Sequence, residues 1–276
     1  MQNNKRSIVL TGASDGIGLE AAKMFAEQSH RLFMLCRPGE KAQRALAAVE
    51  AVAVNTRVTL IGVDLAEPDQ VRAAAQKVQA EVDTLDVLIN NAGLQSKHYR
   101  TNSAGLEITI AVNFLAPFLL SEALHPQLKR AGGSRIVNVI SQLYTRGRFD
   151  SGFRMDAESY NGGKAYGNTK LATALMGQKM ARRFADDKID VISLHPGVLA
   201  TGFLREYPPW AVKLGELLLE DAAKGGQRIF DLALASRFAE SSGKYVSKDR
   251  IKPWNKTAAS RDLQDAVWDL AEKLAS

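Results

Sequence analysis

Two tyrosine–lysine pairs in this chain could move a proton. Tyr166 and Lys170 lie four positions apart, and so do Tyr160 and Lys164. On a helix, side chains at that spacing share a face, with Cβ atoms about 5–6 Å apart. An ammonium beside a phenol favours the phenolate, so the tyrosine pKa is expected to fall toward neutrality. A phenol tuned that way is a usable general acid or base. The spacing is common, so the surrounding sequence has to choose. Tyr160 is followed by Gly162 and Gly163, a poor start for a rigid helix. Tyr166 opens a run with Leu171, Ala174 and Leu175 at helical spacing, which can pack on a core and hold its polar face toward a site. The chemistry is therefore assigned to Tyr166 and Lys170. Tyr160 and Lys164 are read as loop residues at the mouth.

The elements that must position this pair read as alternating strands and helices. Residues 7–10 are a short apolar run with β-branched residues, suited to a buried strand, and residues 31–36, 57–63, 86–90, 135–141 and 189–194 also read as strands. Helical patterns separate them, and a long one over residues 106–129 contains Asn113. Strands spaced by helices predict βαβ units. The expected fold is α/β: a doubly wound Rossmann fold, with a central parallel sheet of about seven strands and helices on both faces. One dinucleotide-binding domain is expected over residues 1–276.

In such a fold, ligands gather at the carboxyl ends of the strands. Gly12, Ser14, Asp15, Gly16, Ile17 and Gly18 follow the first strand and open a helix. Glycines there let backbone approach a pyrophosphate, and a helix N-terminus favours that anion. Arg37 follows the second strand. An acid at that place would hold the ribose of NAD, whereas an arginine can take the 2′-phosphate of NADP, so NADP(H) is favoured over NAD(H). Asp64, residues 91–93, Ser141 and residues 195–197 also fall at or just after strand ends. They are expected to converge on one edge.

Composition sets the remaining bounds. The 276 residues are 46% hydrophobic and 24% charged, ordinary for a soluble globular chain. No apolar run approaches the roughly 18 residues a membrane span needs, and residues 1–7 lack a signal-peptide pattern. A lone cysteine, Cys36, allows no internal disulfide and fits a reducing compartment; a cytoplasmic location is expected. The net charge is +6 and the pI about 9.4, but Lys and Arg are dispersed, and no nucleic-acid partner is expected. The four histidines lack metal-ligand spacing, and no metal is expected. His195, before Pro196, reads as structural.

The ordered set Thr11-Gly12-x-x-x-Gly16-Ile17-Gly18, Asp64-Leu65, Asn90-Asn91-Ala92-Gly93, Asn113, Ser141, Tyr166-x-x-x-Lys170 and Pro196-Gly197 resembles the short-chain dehydrogenase/reductase family. Cys36-Arg37, His195-Pro196-Gly197-Val198, Ser242-Gly243-Lys244-Tyr245 and Trp268 resemble its subgroup of retinol dehydrogenases and related carbonyl reductases. The resemblance implies an NADP(H)-dependent oxidoreductase. Gly12, Ser14, Asp15, Gly16, Ile17 and Gly18 would hold the pyrophosphate and adenosine side. Arg37 would meet the 2′-phosphate, and Asp64 and Leu65 would border adenine. Asn91, Ala92 and Gly93 would line the nicotinamide ribose. Lys170 would bond that ribose and tune Tyr166. Ser141 would bond the substrate oxygen, and Asn113 would hold a helix distortion and a water in a proton relay. Pro196, Gly197, Val198 and Thr201 would approach the carboxamide. Ile140 stands where many relatives have a second serine, and Thr169 where serine is common before the lysine. The separation of Ser141 from Tyr166 is longer than in much of the family, and the intervening residues are expected to loop over the site.

The resemblance also places a substrate-covering segment at about 200–220. Its Phe203, Tyr207 and Trp210 suggest a hydrophobic carbonyl or alcohol substrate, with Phe203 and Trp210 as contacts. An NADP(H)-binding regulator without turnover is the alternative, although a sensor would not need Asn113, Ser141, Tyr166 and Lys170 together. The last helices leave a homo-oligomer open.

Overall fold

The computed structural model describes residues 5–28, 30–149, 156–197 and 221–276. Its strands are β1 Ser7–Thr11, β2 Arg31–Cys36, β3 Val58–Gly62, β4 Val87–Asn90, β5 Ser134–Val139, β6 Ile189–His195, β7 Tyr245–Ser247 and β8 Arg250–Lys252. They form one sheet in the order β3-β2-β1-β4-β5-β6-β7-β8. The strands from β3 to β7 are parallel, and β8 returns antiparallel to β7. Among the described residues, eight strands stand where about seven were expected. The additional edge strand is three exposed residues, Arg-Ile-Lys, too short to show an alternating pattern. Its two cations blunt an edge that could otherwise pair with another chain.

The helices are α1 Gly16–Glu27, α2 Glu40–Glu50, α3 Pro68–Gln79, a composite α4 starting at Ile108–Ile110, α5 Gly162–Arg183, α6 Ala222–Leu234 and α7 Arg261–Ala275. One core unites Phe33, Leu88, Phe114, Leu171 and Trp268 on one sheet face. The other unites Ile8, Leu10, Phe25, Met34 and Ile229 on the opposite face. Successive residues of β1 and β2 divide between the two, as the period-two pleat requires when both faces are covered.

The long helix expected over residues 106–129 is broken in character. After Ile108–Ile110 it widens into a π-turn, Ala111–Leu115, then continues as Ala116–Ala131. Its 24 residues, Ile108–Ala131, have a best-window mean hydropathy of 1.4 and are long and apolar enough to cross a membrane. That corrects the expectation of no such run. Here 78% of the window is buried inside the fold, because this helix covers the centre of the sheet. The polar Asn113, Ser121 and Gln127 disguise its apolar length in the sequence.

Helix α6 lies on α1 without a side chain between them at Gly226. A Cβ there would stand 2.7 Å from Glu20 Cβ and 2.8 Å from the Ala21 nitrogen. Backbone cannot yield as a flexible side-chain tip can, so Gly226→Ala should destabilise the fold by about 1–3 kcal/mol, measurable by urea denaturation.

Candidate active site

The parallel register brings the carboxyl ends of β1, β2, β4, β5 and β6 to one edge. At the first turn, Gly12 and Gly16 take φ of 68° and 51°, which glycine adopts without penalty. A Cβ on Gly12 would meet Ala92 Cα at 2.9 Å, and one on Gly18 would meet the Gly12 carbonyl oxygen at 2.3 Å. Thr11 sets this closeness. Its Oγ1 accepts the N–H groups of Asn91 and Ala92, each at 3.0 Å, and donates to the Ile89 carbonyl at 3.3 Å. The Asn91 side chain donates to the Thr11 carbonyl at 2.9 Å, so it braces the loop from the far side. Thr11 stood in the motif without a role, and only the paired strand ends reveal one.

Asp15 caps α1, accepting the Gly16 N–H at 2.9 Å, and its carboxylate is paired with Lys41. The first turn of α1 holds no acidic residue, and the one acid at its cap has a cation beside it. The end is therefore suited to an anion. A cavity of about 370 Å³ opens beside it, lined by Ser14, Leu19, Lys41, Arg44 and Ala45. Arg37 is exposed just past β2. Glycines that no Cβ could replace, a helix N-terminus and nearby cations fit the pyrophosphate of a dinucleotide. Asp64 holds its own turn, accepting the Ala66 N–H at 2.9 Å, and Leu65 packs against the core.

The π-turn in α4 turns Asn113 inward. Its Oδ1 accepts the Leu94 N–H at 2.8 Å, and its Nδ2 donates to the Leu94 carbonyl at 2.8 Å and to Thr169 Oγ1 at 3.1 Å. Its carbonyl accepts Thr173 Oγ1 at 2.8 Å. Asn113 thus joins the loop after β4 to α5. Lys170 is buried and donates to the Val139 carbonyl at 2.9 Å. Gly93 leaves it room, since a Cβ there would be 3.2 Å from Nζ.

Ser141 hydrogen-bonds the Tyr166 phenol. After Ser141 a 3₁₀ turn, Gln142–Arg146, carries Tyr144 against Tyr245 and Trp254, with ring centroids 5.2 and 5.5 Å away. The chain then lies on α5. A Cβ on Gly147 would be 2.4 Å from the Gly167 carbonyl oxygen, and the Arg148 N–H reaches Asn168 Oδ1 at 2.9 Å. The long Ser141–Tyr166 separation is taken up in part by this contact.

Two expectations are corrected. The phenol of Tyr166 was to be drawn down by Lys170, yet burial pushes it up to about 12, with the Ser141 hydrogen bond pulling against it. Burial also lowers the Lys170 ammonium to about 8. The ammonium lies 5.5 Å from the centre of the Tyr166 ring and bonds a backbone carbonyl; desolvation outweighs attraction. The second correction concerns the first pair. Asn161 caps α5, which starts at Gly162, so Lys164 belongs to the helix. Tyr160 precedes the cap half-buried, with its hydroxyl bonded to Glu107.

Pro196 is buried after β6, and Gly197 takes φ of 111°. The Pro196 carbonyl accepts Arg228 Nη1 at 2.6 Å. His195 is buried within β6, paired with Ser247. Val198, Thr201, Phe203 and Trp210 lie outside the described residues.

Residues 6–211 match the family model for short chain dehydrogenase. Retinol dehydrogenase 11 of Homo sapiens is 32% identical over 96% of this chain and 84% of its own length. Retinol dehydrogenase 12 of Bos taurus is 31% identical over 97% of this chain and 85% of its own length. A solved short chain dehydrogenase from Burkholderia cenocepacia J2315, in complex with NADP, is 26% identical with a TM-score of 0.71, covering 88% of this chain and 96% of that one. The chain belongs to the short-chain dehydrogenase/reductase family and is an oxidoreductase on a Rossmann fold. Within it, this chain is similar to the retinol dehydrogenases.

The Lys170 ammonium gives a stability test. Its folded pKa of about 8 lies below the ordinary 10.5. Between those values the unfolded chain binds more protons, so stability rises with pH through that window. Urea denaturation at pH 8 and pH 10 should show the wild type gaining stability relative to Lys170→Met.

Proposed function

We propose that the protein is an NADP(H)-dependent oxidoreductase that moves a hydride between the nicotinamide and a hydrophobic carbonyl or alcohol substrate. The observation that carries this reading is the joining of half-buried Ser141 with buried Tyr166 and Lys170 at one corner. Ser141 bonds the Tyr166 phenol, and the Lys170 ammonium lies over the same ring. The cofactor, when bound, supplies or accepts the hydride.

In the reductive direction, negative charge grows on the carbonyl oxygen. Ser141 donates a hydrogen bond to it, and Tyr166 gives up its hydroxyl proton as general acid. In the oxidative direction, Tyr166 takes that proton back. Lys170 holds a positive charge beside the phenolate left by transfer, favouring it in proportion to the charge that forms. Asn113 fixes the relative position of the loop after β4 and α5, through Leu94 and Thr169.

On the nucleotide side, Gly12, Gly16 and Gly18 present backbone to the pyrophosphate. Arg37 takes the 2′-phosphate, helped by the cations that line the neighbouring cavity. NADP in the Burkholderia cenocepacia structure supports this choice. The relatives' names as retinol dehydrogenases support a long apolar alcohol or aldehyde, matching Phe203 and Trp210 in the covering stretch.

Tyr166→Phe should lower kcat by about 100- to 10,000-fold for aldehyde reduction, while NADPH affinity by fluorescence titration stays near wild type. NADPH bound tightly with no aldehyde or ketone turned over by the wild type would instead favour a regulator. Arg37→Ala should weaken NADPH binding by about 10- to 100-fold, from loss of a charge-assisted hydrogen bond, with NADH affinity little changed. Truncating Phe203 and Trp210 to Ala should raise KM for bulky carbonyls; an unchanged KM would remove them from the substrate wall.

A further inference from the structure

The unused member of the two tyrosine–lysine pairs has its own buried network. Glu107 is 4% exposed and has no ion pair among the described residues. Hydrogen-bond donors hold its carboxylate instead. Its Oε2 accepts the Ile110 N–H at 3.0 Å, and its Oε1 accepts Thr109 Oγ1 at 2.8 Å and the Tyr160 hydroxyl at 3.1 Å. A buried carboxylate is tolerated only when so satisfied. The Tyr160 hydroxyl also reaches the Ser96 carbonyl at 3.2 Å, so its one proton is shared between the two acceptors.

These contacts join three elements. Glu107 begins α4, which carries Asn113. Ser96 lies on the loop after β4, two residues beyond Leu94, the backbone partner of Asn113. Tyr160 immediately precedes Asn161, the cap of α5. The Ser96 carbonyl is also the surface on which α5 starts, because a Cβ on Gly162 would stand 1.9 Å from its oxygen. The same carbonyl therefore receives the Tyr160 hydroxyl and seats the first residue of the helix that carries Tyr166. Tyr99 meets Tyr160 edge-on, with ring centroids 5.7 Å apart.

We propose that Tyr160, held by Glu107, is a positioning residue for the reaction: it seats the N-terminal turn of α5 on the Ser96 carbonyl and so fixes Tyr166 relative to Ser141. Tyr160 touches no reacting atom in this account. It repeats, toward the start of α5, the joint that Asn113 makes through Leu94 and Thr169. Burial raises the Tyr160 pKa above its usual value; the Thr109 hydrogen bond opposes this, and the Glu107 charge adds to it. The phenol therefore stays a donor to the carboxylate across the working pH range. A small misplacement of a proton donor is costly to rate even where folding survives.

The inference rests on the acid/base reading of Tyr166, and a double-mutant cycle separates the two. Tyr160→Phe, Glu107→Gln and the double variant are assayed for NADPH-dependent reduction of decanal, with NADPH affinity and thermal midpoint measured on each. Positioning predicts a fall in kcat on the order of tenfold for each single variant, with NADPH Kd within about twofold and the double no slower than the slower single. Amide hydrogen exchange should quicken over residues 94–101 and 162–166 in Tyr160→Phe. A Tyr160→Phe enzyme with wild-type kcat, or losses that multiply in the double, would overturn it. A lower thermal midpoint with kcat per folded molecule unchanged would overturn it too, since that is structure without positioning. Tyr166→Phe is run alongside. If it keeps wild-type turnover, the acid/base reading falls, whatever the cycle returns.

Discussion

The site depends on one side-chain amide. Asn113 satisfies both backbone groups of Leu94 and still reaches Thr169. An ordinary α-helical turn has no spare room for this arrangement; a π-turn does, because its ring is wider, and Pro117, four residues on, has no N–H to occupy the Asn113 carbonyl. That carbonyl takes the Thr173 hydroxyl. The loop after β4, the central helix and the Tyr166 helix are therefore bonded to each other through a single buried residue. Gly93 stays small beside it, and Lys170 fits into the space that remains. A fold of this kind positions its buried polar groups by joining elements rather than by stiffening a loop.

Burial then sets the electrostatics. Lys170 and Tyr166 lie together out of water, and each resists its charged form, so the resting state is a neutral phenol beside a weakened cation. The site stores no phenolate in advance. A negative charge placed on the phenol is what the nearby ammonium would favour, and the low dielectric makes that preference larger than it would be at a surface. At the other end the problem is inverted. Asp15 would repel a pyrophosphate from the helix it caps, and the Lys41 ammonium cancels that charge while leaving the cap in place.

Much of this was legible in the sequence. The strand runs, the glycine turn and the order of polar residues at strand ends gave the doubly wound sheet and the edge where the candidates meet. Periodicity fixes where strands lie, and parallel connection fixes which ends share an edge. Tertiary effects were not legible. The direction of the Tyr166 shift depended on how deeply the phenol sits, which spacing along a helix does not encode. Gly162 and Gly163 read as helix breakers, yet α5 starts there because only glycine fits against the Ser96 carbonyl and Asn161 supplies the cap. Glu107 and Tyr160 are 53 positions apart, and no local pattern connects them. The strand β8 was too short for its alternation to register.

The bond from Arg228 to the Pro196 carbonyl has a consequence for how such a chain can diversify. Pro196 precedes the stretch 198–220, and Arg228 stands on α6, which follows it. The two stems are thus fastened to each other independently of the sequence between them. A connection with fixed stems can change length cheaply, because doubling it costs only about 0.6 kcal/mol in closure entropy. The fastening of Pro196 to Arg228 therefore constrains the chain on both sides of that stretch whatever its sequence.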